Sequence, residues 1–270
     1  VSGTPRIHDG LPQQPATMKI RKKSPKPSGS GRPLYIVGYS SPAPSAAELQ
    51  MWFDLEYGGP LKLKTSGETA PMMASHGPWN ASLQVSSSQT DADTWSERLD
   101  WRHTHAGVIL RPSVTPQQVC DLVLFAARLA RGLSLLTQGT AYDMVTHTYL
   151  NPSDWTDRSL DRFSTADHVT VSQADSPDPQ TDWFHTLGLS KFGLDELEVF
   201  RPVGLPSRPT LETFAYIADE MVRIGRSPNV GMTLSLPLLG LSIAVTRHRT
   251  AAPAGLSLPF REISWQEMKH

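Results

Sequence analysis

Residues 105–137 read HAGVILRPSVTPQQVCDLVLFAARLARGLSLLT, a short apolar run followed by a long helical one. His105–Leu110 predicts a buried strand. Thr115 is placed to cap the helix that follows, with Pro116 at its first position and Gln118 closing a capping box. Val119, Leu122, Val123, Ala126, Leu129, Ala130 and Leu133 recur at helical spacing, and Gly139 lies just past the end. One strand and one amphipathic helix in sequence exclude both an all-helical and an all-β chain.

Working towards the N-terminus, residues 86–97 are polar and predict a loop or the start of a short helix. Ala81–Val85 and Leu61–Lys64 predict short strands. Ser45 and Glu48 form a second capping box ahead of Leu49, Trp52 and Phe53, and Gly58-Gly59-Pro60 ends that helix. Leu34–Tyr39 is β-branched and aromatic and predicts a buried strand.

Towards the C-terminus, Ala141–Leu150 predicts one strand, Asn151-Pro152 a turn opening a short helix, and His168–Ser172 another strand. Ser176–Pro179 reads as a linker between halves. Trp183–Leu189 and Leu197–Phe200 predict strands, and Thr210–Ile224 a helix stopped by Gly225. Val230–Leu236 and Leu241–Arg247 predict a hairpin, and Phe260–Ile263 a last strand. The expected fold is therefore α+β: a mainly antiparallel mixed sheet with long helices packed on one side. The alternation of strands with one long helix in each part allows two similar halves, residues 34–175 and 180–270.

Residues 1–33 carry seven basic side chains and one acid, whereas the remainder has 18 basic and 25 acidic ones. A basic tail thus precedes an acidic body. The tail has no apolar periodicity, so it is expected to be disordered. It has no aromatic residue to stack on bases, which makes nucleic acid an unexpected partner. Position 1 is Val, and Met18 ahead of the basic run is an alternative start. The longest apolar stretch, Val230–Val245, is broken by Gly231, Pro237 and Gly240 and is too interrupted to span a membrane. A single cysteine, Cys120, fits a reducing compartment, and a cytoplasmic location is expected. Cys120 lies on the apolar stripe of the best helix and reads as a small hydrophobe rather than a nucleophile.

No nucleophile elbow and no phosphate-binding glycine loop is present, and no cofactor is expected. His103 and His105 share a face of an extended segment and are the candidate metal ligands. A third ligand from His147, His185 or Asp143 is not selected by spacing. Gly188 and Gly193 flank Leu-Ser-Lys-Phe and are expected to permit a tight turn and close backbone contact. Glu196 and Glu198 share a strand face, either as a chemical pair or as charges guarding a solvated edge. Trp79, Trp95, Trp101, Trp155 and Trp183 fall at loop or strand edges, where they cap a core or line a surface. Trp101, Trp183, Glu196 and Glu198 are the candidate binding residues.

Thr186, Gly188, Leu189, Phe192, Gly193, Glu196, Leu197 and Glu198, then the helix at Thr210–Ile224 and Gly231-Met232-Thr233, resemble the hallmark of a bacterial family, domain of unknown function 4261. The likeness spans roughly residues 183–247. It implies a bacterial cytoplasmic protein and carries no activity with it. Two functions are expected from the whole reading. The first is a non-catalytic binding protein of the immunity or accessory type, which meets a protein partner. The second is a metal-dependent enzyme using His103 and His105.

Overall fold

The computed structural model describes residues 33–65, 71–86, 102–108, 115–236, 240–250 and 258–267. Residues 1–32 of the expected tail, 87–97 of the expected polar stretch 86–97, and Trp101 lie outside these residues, whereas Pro33 opens β1 and Ser86 closes β4.

Two sheets make up the α+β fold. The first contains β1 (Pro33–Tyr39), β2 (Lys62–Lys64), β3 (Met72–His76), β4 (Trp79–Ser86), β5 (Arg102–Val108), β6 (Thr140–Asp143) and β7 (Thr148–Leu150). Its spatial order is β2-β3-β4-β5-β1-β6-β7. The second contains β8 (Thr170–Asp175), β9 (Thr181–Leu187), β10 (Glu196–Pro202), β11 (Thr233–Leu236), β12 (Leu241–Arg249) and β13 (Phe260–Glu267), ordered β11-β12-β13-β10-β9-β8. Its β10–β13 pair is parallel, and its other pairs are antiparallel.

The two sheets follow one scheme. A central strand, β1 or β10, feeds a crossover helix, α1 (Ala46–Tyr57) or α4 (Ser207–Ile224). The chain then returns from the sheet edge by hairpins until it lies beside the central strand, and a further hairpin flanks the other side. Each hairpin reverses direction. The first half returns through four strands, so β5 runs antiparallel to β1; the second returns through three, so β13 runs parallel to β10.

Capping chemistry places the helices as the sequence predicts. Ser45 and Glu48 close the box on α1, and Thr115 with Gln118 closes it on α2 (Pro116–Thr137). Helix α4 ends at Gly225, which is left-handed. Helix α2 lies on β1, β4, β5 and β6 beside α1, and its other side meets α4. It is therefore buried nearly all round. Arg131 on it is only 7% exposed, and its guanidinium bonds the Trp155 carbonyl at 2.9 Å and Glu56 at 2.5 Å.

Two expectations need correction. Ala141–Leu150 is a hairpin, β6 and β7, because Asp143 caps the turn through the amides of Val145 and Thr146. Ser176–Pro179 joins β8 to β9 within one sheet, so the chain changes sheets earlier, between Leu150 and Thr170. Strand β3 lies where the sequence reading assigned no element; it has no β-branched residue but pairs with β4 through the turn at Gly77. No helix among the described residues is long and apolar enough to cross a membrane.

Candidate functional site

The family-like stretch folds as β9, a 3₁₀ turn at Leu189–Phe192, and β10. Glu196 opens β10 and points back into the turn. Its carboxylate accepts the amides of Gly188 (3.0 Å), Leu189 (3.2 Å) and Ser190 (3.0 Å), and the Thr186 hydroxyl (2.8 Å). These are the orphan donors of a turn N-terminus, so the carboxylate does there what a cap does. Burial pushes the Glu196 carboxyl above its usual range, against the four donors that pull it down.

Glu198, two residues on, is equally enclosed. Its oxygens accept Trp183 Nε1 at 3.0 Å and Arg249 Nε at 2.7 Å, with Arg249 Nη2 completing a fork. Both glutamates have zero exposure and stand on a central strand between β9 and β13. The solvated-edge expectation for Glu196 and Glu198 is thus overturned. They belong to the interior, where a carboxylate is retained only with its own donors. Trp183, 1% exposed, is likewise a core side chain and not a surface one.

Over Trp183 lies the ring of His185, 3.9 Å away and 16° from parallel. Burial lowers the His185 pKa to about 4, and its Nδ1 has no partner. His185 stands on β9 of the second sheet. His147 Nδ1 meets the Tyr142 hydroxyl at 2.8 Å, and Asp143 pairs with Lys191. His103 and His105 stand on β5, paired through their backbones with Gly38 and Ile36 of β1; their side chains lie outside the described residues. Among the described residues no group of three potential ligands forms.

A second enclosed cluster joins the two sheets. Lys191, from the 3₁₀ turn, forms an ion pair with Asp143 of β6, and both are buried. Lys191 Nζ also donates to the His168 carbonyl at 2.9 Å and sits 5.5 Å from the Tyr35 ring centroid. Burial lowers the Lys191 pKa, with the Asp143 charge opposing that shift. His168, 1% exposed, stacks on Phe163 and has no partner on either ring nitrogen. Burial, then the nearby Lys191 and Arg158 charges, lower its pKa to about 3.

Gly188 and Gly193 behave as their spacing predicts. Gly188 has φ +123°, and a Cβ there would stand 2.3 Å from the His168 carbonyl. Gly193 has φ +72° with open space around it.

The open surface lies elsewhere, on α1. Leu49 and Phe53 face the core, while Met51 and Leu55 are 63% and 83% exposed. Ala47, Met51 and Leu55 recur every four residues and form one outward stripe. Sequence reading missed it because the core-facing apolar residues of α1 already accounted for the helix. The signal was available: a helix apolar on both faces. The chain matches no family model, no curated protein and no solved structure.

Proposed function

We propose that this is a non-catalytic binding protein, of the accessory or immunity type, that docks a partner protein through α1. The observation that carries the reading is the exposed Ala47–Met51–Leu55 stripe. A helix apolar on both faces ordinarily has both faces covered, and the outward face of α1 is bare. Helix α1 contains Glu48, Asp54 and Glu56 and no basic residue. The partner surface it suits is an apolar groove with a basic rim, since charge complementarity sets specificity and encounter rate. The glutamates that looked functional are spent on internal donors, which supports a structural role for them.

Membership in domain of unknown function 4261 and residence in a bacterial cytoplasm are part of the same proposal. They rest on the residue pattern at Thr186–Glu198 and on the lone Cys120.

A photo-reactive residue at Ala47, on the same exposed stripe, with the protein in lysate of its source cells, tests the docking face. The expected product joins α1 to an apolar groove flanked by Lys or Arg, and Met51→Glu with Leu55→Glu abolishes it. Capture unchanged in the double variant overturns the reading, provided the variant melts like the parent. A metal site at His103 and His105 is the competing proposal, supported by their spacing of two on regular β5. Stoichiometric zinc or manganese in untagged protein, lost in H103A/H105A, would establish it.

A further inference from the structure

We propose that Lys191 and Asp143 are the two ends of an internal amide crosslink, formed by condensation of the lysine amine with the aspartate carboxyl inside the folded protein. This inference is independent of the docking face. It rests on four observations at one place.

First, the reacting groups touch. Lys191 Nζ is in direct contact with Asp143 Oδ2, with no residue between them. Holding amine and carboxyl in one geometry converts a very slow bimolecular condensation into an intramolecular step. Second, water is excluded. The side chains of Lys191 and Asp143 are 0% and 3% exposed, and an amide formed with release of water is favoured where water does not return.

Third, the other carboxyl oxygen already has the donors that the reaction needs. Asp143 Oδ1 accepts the Val145 amide at 3.0 Å and the Thr146 amide at 3.1 Å. Two backbone N–H groups on one carboxyl oxygen stabilise the negative charge that develops there when the carbon is attacked. Fourth, the amine is aimed and made nucleophilic. The His168 carbonyl accepts one of its protons at 2.9 Å, and the Tyr35 ring closes one side. Burial favours the neutral amine, whose lone pair is the attacking species.

The step balances within the pair. One ammonium proton passes to Oδ2 across the contact. The nitrogen lone pair then bonds to Asp143 Cγ, and Oδ1 carries the charge against the two amides. A second proton from nitrogen joins Oδ2, which leaves as water while the carbonyl reforms. The nitrogen keeps one hydrogen, and no external acid, base or oxidant is consumed. The link would join β6 of one sheet to the turn before β10 of the other.

Mass spectrometry of the full-length folded protein, after denaturation and proteolysis, tests this. The expected result is a branched peptide that joins the Asp143 segment to the Lys191 segment, lighter than the two together by one water. K191R and D143A should each yield linear peptides only. Wild-type protein that gives full-mass linear peptides for both segments, after days of incubation in the folded state, overturns the crosslink and leaves a buried ion pair.

Discussion

Glu196 bonds the amide of Gly188 at 3.0 Å, at a residue where any Cβ would strike the His168 carbonyl. One carboxylate therefore fixes a turn whose backbone has no room to move. Removing its oxygens strands the buried amides of Gly188 and Leu189, the half-buried amide of Ser190 and the Thr186 hydroxyl, and each buried donor left unpaired costs about 1–3 kcal/mol. Glu196→Ala should lower stability by at least about 3 kcal/mol in urea titration. Glu220→Ala, which breaks an exposed pair with Arg223, should cost no more than about 0.5 kcal/mol. Equal effects from the two would refute the capping role.

The flanking glycines should separate. At Gly193 a Cβ meets only the penalty of a left-handed backbone, so Gly193→Ala should cost about 1 kcal/mol. At Gly188 the side chain also meets main chain 2.3 Å away, and Gly188→Ala should cost several times more. Thermal melts of the two variants decide it, and a Gly188 variant as stable as the Gly193 variant would contradict the described backbone.

Acid should unfold the protein through His168. Its pKa falls from the ordinary 6.5 to about 3 on burial, so below pH 6.5 the unfolded chain takes up the proton first. Stability present above that pH is lost as pH falls towards about 3, at up to about 1.4 kcal/mol per pH unit. His185, with a pKa of about 4, adds in the same direction. Both His168 nitrogens lack partners, so His168→Leu should flatten the slope between pH 6.5 and 4.5. Parallel slopes for parent and variant would remove His168 from the account.

Cys120 should be inert while the protein is folded. Burial raises its pKa to about 11, which leaves only on the order of one thiolate in a thousand at pH 8. Alkylation followed by mass should show labelling that is slow natively and fast in denaturant. Rapid native labelling would mean that the N-terminal part of α2 opens readily.

Local chemistry was legible in the sequence, and pairing was not. The boxes at Ser45–Glu48 and Thr115–Gln118 need only four residues each, and both appear where the spacing puts them. Strand β10 shows the limit. Alternating acids at Glu196 and Glu198 suit an exposed edge, and only the distant β13 and Arg249 make the position central and neutralised. Asp143 and Lys191 lie in different sheets of the fold, and no local pattern links them. Lys191 carried one hint, a lone charge framed by Leu189 and Phe192 between two glycines. The outward stripe of α1 was overlooked because a helix with enough apolar residues to reach the core raises no alarm.

Helix α2 supplies most of its apolar side chains to the first core, yet Cys120 belongs to the second. The helix also touches α4 and the turn that carries Lys191. The second core therefore borrows from the helix that fills the first. A fragment ending at Leu150 would keep α2 but bare the flank that α4 covers, and a fragment starting at Thr165 would leave α4 without its neighbour. The similar halves should thus unfold as one cooperative unit: the resemblance between them is a matter of topology.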